Sequence, residues 1–215
     1  QPPLLRLIKR QWVREEKLEG EFYDRYKSVR ERLFNVVRTM NTDAGTPTEL
    51  LRLTQKLLDR FIFAFYCEDM GERMLFPPQL IRDFLKSRCV EPFYDPAGTE
   101  LWDYFKRLFR EMNRGGRFGQ LDVPHINGGL FAADEQIESL TISNDVFAAV
   151  RQGATEADLE RDPNTLLYLC ARYNYAARGD VRESLSLYTL GRIFEQSNTE
   201  LEYREGELEG RDSLA

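Results

Sequence analysis

From Phe61 to Cys67 the chain reads Phe-Ile-Phe-Ala-Phe-Tyr-Cys without a polar break. Upstream, Leu50, Leu53 and Leu57 fall at helical spacing while Leu51 and Leu58 occupy other sides, so the helix is apolar almost all round in its later half. A helix of that kind has no face to give to water and must lie at the centre of its fold. Its start is marked by Thr46-Pro47-Thr48-Glu49, a capping box with proline at the first helical position, and its end by Gly71.

The rest of the chain supplies what such a centre needs. Leu18, Phe22, Tyr26, Val29, Leu33, Val36 or Val37, and Met40 recur at three- and four-residue steps, placing an apolar stripe on a long first helix. Pro77-Pro78 opens a third helix through Leu80, Ile81, Phe84 and Leu85. Asp95-Pro96-Ala97-Gly98-Thr99 opens a fourth through Leu101, Tyr104, Phe105, Leu108, Phe109 and Met112, which Gly115-Gly116 ends. Turn residues dominate from Arg117 to Asp134, giving an ordered glycine-rich loop, and short helices are expected from Ser143, from Pro163 and from Glu183. Alternating strand patterns are nearly absent and no fixed repeat is visible, so the fold class is all-α, an irregular multi-helix bundle rather than a solenoid.

Composition narrows the class further. With 42% hydrophobic and 31% charged residues, 14 Phe and 10 Tyr, the chain is too aromatic for disorder and too charged for a membrane protein, and no run approaches a ~20-residue span. The start, Gln1-Pro2-Pro3, lacks Met and a signal region and reads as the edge of a piece cut from a longer chain. Cys67, Cys89 and Cys170 are widely spaced and include no Cys-x-x-Cys pair, so they are read as reduced, buried thiols of a cytoplasmic protein. Net charge is −6, but residues 195–215 concentrate the acids Glu195, Glu200, Glu202, Glu205, Glu207, Glu209 and Asp212, leaving the remainder nearly neutral. The overall acidity therefore does not exclude a nucleic-acid partner.

No complete active site is present. Glu15-Glu16-Lys17 has the local shape of a nuclease acid-x-Lys group, yet no carboxylate precedes it, so no metal is assigned and a solvated helix face is the better reading. His125 is the single histidine and reads as a packed or hydrogen-bonded loop residue. Glu68-Asp69 sits at a helix C-terminus, where the dipole disfavours negative charge, and calls for an arginine or loop amides inside the fold. Arg107, Arg110, Arg114 and Arg117 lie roughly on one face leading into a glycine turn, with Lys106 beside them, and Arg6, Arg10 and Arg14 form a second stripe. Either stripe suits DNA-backbone phosphates or a solvated face. Asn127, Gly128 and Gly129 suit a tight turn better than an anion nest.

Three segments in order carry a resemblance: the apolar helix ending Phe61-Ile62-Phe63-Ala64-Phe65-Tyr66-Cys67-Glu68-Asp69-Met70-Gly71, the loop Pro124-His125-Ile126-Asn127-Gly128-Gly129-Leu130-Phe131, and Tyr188-Thr189-Leu190-Gly191-Arg192-Ile193-Phe194-Glu195. Over roughly residues 50–200 the chain resembles the helical spacer before the methyltransferase domain of adenine-specific DNA methyltransferases, namely the single-chain type II restriction-modification enzymes (MmeI-like and related groups) and phage-defence methylases. The resemblance implies a spacer that joins an N-terminal module to the methyltransferase and helps form a cleft for double-stranded DNA. It implies S-adenosylmethionine as cofactor of the parent enzyme, but the glycine motif and the Asn/Asp-Pro-Pro-Tyr/Phe motif that would hold cofactor and flipped adenine are missing. No catalytic residue and no cofactor is therefore assigned to this chain. The implied organisation is a linking helix over 1–45, the spacer over 46–198 and an acidic segment over 199–215 leading to the methyltransferase domain. A helical protein-interaction module whose acidic end docks a basic partner is the alternative.

Overall fold

The capping box forms as the sequence requires. In the computed structural model, which describes residues 3–74, 76–77, 80–126, 128–149, 155–176 and 182–212, Thr46 Oγ1 accepts from Glu49 N–H at 3.3 Å. Glu49 Oε2 accepts from Thr46 N–H at 2.8 Å in return. The helix so started, α2 (Pro47–Met70), buries residues on every side and is the axis of the fold. Phe61 shows why: it meets Phe105, Phe109 and Phe147 edge-on at centroid distances of 5.0, 5.2 and 5.7 Å.

The first helix, α1 (Pro3–Met40), lies against α2 through Phe22, Tyr26, Val29, Leu33 and Val37, each fully buried at three- or four-residue steps. Met40, expected on that stripe, is exposed because the core ends at Val37. Towards its start α1 runs past the body, leaving Leu5, Trp12 and Val13 more than half exposed. α3 (Leu80–Cys89) follows α2, and α4 (Glu100–Arg114) packs Leu101, Trp102, Phe105, Leu108, Phe109 and Met112 inward. Trp102 fixes α4 further by donating Nε1–H to the Leu140 carbonyl at 2.7 Å.

After α4 comes a hairpin, β1 (Gly116–Phe118) and β2 (Leu121–Val123), antiparallel with Arg117 opposite Asp122. A 3-10 turn at Gly129–Phe131 completes the segment expected to be a loop, and the short α5 (Glu135–Ser139) follows it, capped by Asp134. Ser143 introduces only a 3-10 turn, Asn144–Val146, since buried Asn144 spends its side chain on Leu101 N–H and the Asp95 carbonyl. α6 (Glu156–Leu159) and α7 (Leu166–Arg172) lead to β3 (Tyr173–Asn174), which pairs in parallel with β4 (Glu183–Ser184). α8 (Leu187–Asp212) begins after β4, later than Glu183, and continues through the acidic segment as one helix.

α1, α2 and α8 meet at a buried polar joint. Arg30, fully buried, donates to Ser197 Oγ at 2.8 Å and Gln55 Oε1 at 3.2 Å, while Glu200 stands 3.2 Å from its Nη2. Tyr23 donates to Glu200 at 2.6 Å. Among the described residues of α8 the buried apolar ones are Leu190 and Ile193, while further along Glu200, Arg204 and Glu205 are held by ion pairs to Arg30, Glu31 and Arg52.

Candidate nucleic-acid interface

α4 is built for two faces. Its apolar residues are buried while Arg107, Arg110 and Arg114 emerge on the exposed side, with Glu100 and Asp103 in the first turn and Arg114 in the last, as the helix dipole favours. The helix ends at Gly115, so Arg117 belongs to β1 and the four arginines do not share one helical face. The fold divides them. Arg107 lies over the Phe118 ring at 5.4 Å, and Arg117 faces Asp122 at 3.6 Å, both on the hairpin side. Arg110 turns the other way and donates through Nε and Nη2 to Glu138 at 2.9 and 2.8 Å. Arg114 is exposed and forms no ion pair with another described residue. Lys106 pairs with Asp103 at 2.7 Å and lies 5.7 Å from the Trp102 ring.

Between α4 and the segment 131–138 lies a small cleft of about 20 Å³, with Trp102, Phe109 and Phe131 in its floor and Lys106, Arg110 and Arg114 along one wall. Arg60 of α2 closes its base, donating Nε–H to the Leu130 carbonyl at 2.7 Å and an Nη2 proton to the Ala132 carbonyl at 2.8 Å. Burial lowers the Arg60 pKa, which the nearby Asp134 and Glu138 oppose. This arginine clamp escaped the sequence reading, although a cation set between Leu57-Leu58 and Phe61-Ile62-Phe63 was a signal for it.

The glycine loop serves the same wall. Ile126 N–H donates to the Met112 carbonyl at 2.8 Å, and Phe131 packs on Phe63 and Phe109 at 5.9 and 5.6 Å. Gly115 has φ +69°, and a Cβ there would stand 3.1 Å from the His125 Cβ and backbone N. His125 therefore backs onto the helix end through its backbone and Cβ, and the residue as a whole is exposed. Gly128 takes φ +136°, whereas Gly129 opens the 3-10 turn without that requirement. Asn127 lies outside the described residues.

The Glu68-Asp69 pair finds its partners within the fold. Glu68 Oε1 accepts from the amides of Ile81 and Arg82 at the start of α3, at 3.2 and 3.3 Å. Asp69 receives Arg82 at 2.9 Å, Arg182 at 2.8 Å and Tyr175 N–H at 2.9 Å. Glu68 Oε2 has no hydrogen-bond partner in its buried site, and burial pushes the carboxyl up to about 7 against the pull of the Arg82 guanidinium.

Glu15 and Glu16 are exposed on α1, and no cluster of three or more His, Cys, Asp or Glu able to hold a metal occurs among the described residues. Arg14 is exposed, while the Arg6 and Arg10 side chains lie outside the described ones. All three cysteines are buried thiols, with Cys67 and Cys89 pushed up to about 12 by burial. No described helix is long and apolar enough to cross a membrane. Acids of the C-terminal segment are partly used inside the fold, Glu200 by Lys27 and Arg30 and Glu205 by Arg52 at 2.6 Å.

Residues 52–131 match the family model described as the helicase spacer domain of MmeI. The match runs from the first turns of α2 to Phe131, less than half of the chain, and takes in the first two of the three segments that carried the resemblance. Segment 188–195 lies beyond it. Comparison with curated proteins and with solved structures gave no match.

Proposed function

We propose that this chain, similar over residues 52–131 to the MmeI helicase spacer, is the helical spacer of an MmeI-like restriction-modification polypeptide. It sets neighbouring domains of the same chain in place and contributes contacts to the backbone of double-stranded DNA. The observation that carries this reading is the match itself, which begins and ends on a single packed unit. α2 opens the matched stretch, and its Arg60 and Phe63 hold the Leu130-Phe131 end of that stretch. A unit tied so closely end to end transmits position from the domain on one side of it to the domain on the other.

Catalysis belongs to other parts of the polypeptide. The parent would transfer a methyl group from S-adenosylmethionine to adenine N6, and as a methylase of this type it would serve phage defence in the cytoplasm. This chain's share of DNA binding would be drawn from the group Arg107, Arg110, Arg114 and Arg117, acting on phosphates without reading sequence.

Fluorescence anisotropy of the chain with a labelled duplex at about 50 and 200 mM salt tests the DNA contact, because phosphate binding weakens steeply across that range. Binding that falls with salt and with the four arginines changed to Ala is expected. Absence of binding at the lower salt would refute the DNA role and favour the protein-interaction module, for which the exposed Leu5, Trp12 and Val13 of α1 are the natural surface.

A further inference from the structure

The sequence groups the α4 arginines as one stripe, but the fold sorts the cations of this region into two sets with different surroundings. On the hairpin side, Arg107 is spread over an aromatic ring and Arg117 faces Asp122 between two largely exposed side chains. On the cleft side, Lys106, Arg110 and Arg114 stand at successive four-residue steps, so each is carried about 6 Å further along the helix than the last. Beneath them Arg60 is held immobile by two carbonyls, adding a fixed positive charge to the base of the same cleft. The walls contribute a single carboxylate, Glu138, which is committed to Arg110, while Asp103 on the exposed side of α4 pairs with Lys106 at 2.7 Å.

We propose that the cleft between α4 and α5 is a phosphate-binding track for one DNA strand, formed by Lys106, Arg110 and Arg114, with Glu138 holding the place of a phosphate on Arg110 until DNA arrives. The inference rests on the DNA-contact reading above and replaces the four-arginine stripe by a different set of residues. Its chemistry is ion exchange. Glu138 presents one oxygen to two guanidinium N–H groups, and a backbone phosphate offers the same geometry to the same donors while also engaging Arg114, which has no carboxylate of its own among the described residues. A carboxylate resident on the central cation lowers affinity and discourages adventitious anions, so strands that engage all three cations together are favoured.

The experiment is duplex binding by anisotropy at several salt concentrations with the 215-residue chain and three variants, each checked for an unchanged melting temperature. Lys106→Ala with Arg114→Ala is expected to weaken binding at least tenfold at low salt and to reduce the salt slope by about two. Glu138→Gln should tighten binding several-fold, since it removes the competing charge and leaves Arg110 in place. Arg107→Ala with Arg117→Ala should cost clearly less than the cleft pair, because Arg107 lies over the Phe118 ring and Arg117 faces Asp122. The inference is overturned if the hairpin pair carries the loss and the cleft pair does not, or if Glu138→Gln leaves affinity unchanged; the DNA reading itself survives both results. A parent chain that binds no duplex at low salt overturns that reading and the track with it. Titration with inorganic phosphate at constant ionic strength, followed by tryptophan fluorescence, should give no saturable change. Saturation by phosphate with DNA affinity untouched by the cleft pair would assign the cleft to a free anion instead.

Discussion

Glu68→Gln should make the protein relatively more stable as pH rises, and the size of the gain is set by where Glu68 sits. The residue is 3% exposed, with Oε1 fixed by two α3 amides and Oε2 unpaired, and burial lifts its pKa from 4.5 to about 7. Arg82 and the Ile81 and Arg82 amides pull that value down, while Asp69 adds to the rise. The folded chain thus holds the proton more tightly than the unfolded chain does. The contribution to stability is complete below pH 4.5, is lost progressively as pH climbs, and is gone above about 7. Between pH 5 and pH 8 the loss comes to about 2–3 kcal/mol. Glutamine keeps an oxygen for the two amides and does not titrate. Urea denaturation of both proteins at intervals from pH 5 to 8 should therefore show the variant gaining that amount relative to the parent. Comparing the two proteins removes the opposite contributions of Asp134 and Glu200, whose pKa values are lowered. Parallel stability curves for parent and variant would refute the argument, because they would mean that Glu68 is as well solvated in the fold as out of it.

Arg60→Met should cost about 2–4 kcal/mol, since it leaves the Leu130 and Ala132 carbonyls without their charged donor, and Arg60→Lys should not restore the two-pronged contact; chemical denaturation and amide exchange across 129–133 report both. Gly115→Ala should destabilise by about 1–3 kcal/mol, lowering the melting temperature by several degrees, because its φ of +69° and the 3.1 Å approach of His125 both resist a Cβ, whereas Gly129→Ala should fall within about 0.5 kcal/mol of the parent. Equal effects at the two glycines would contradict the assignment of strain to Gly115.

What could be read from residues alone was whatever repeats along one element. The stripe on α1 is visible because burial of Phe22, Tyr26, Val29, Leu33 and Val37 depends on a period the sequence itself displays. The centrality of α2 and its cap are equally local, the first a matter of having no polar face and the second of four consecutive residues. The need of Glu68-Asp69 for a partner was legible from the helix dipole, but Arg182 lies 113 residues from Asp69 and only the folded chain brings it there. The hairpin was illegible because three-residue strands are too short to show alternation.

The same distinction governs the candidate interface. The sequence decided that α4 carries a row of cations on its polar side, since helical spacing fixes angular position. It could not decide which of them remain available, because that depends on residues brought alongside by other elements: Asp122 across the hairpin, Glu138 from α5, and the carbonyls that engage Arg60 from below. Charge acts through space rather than along the chain, so tertiary structure alone separated the cleft-facing cations from those on the hairpin and gave Arg60 and Glu138 their places.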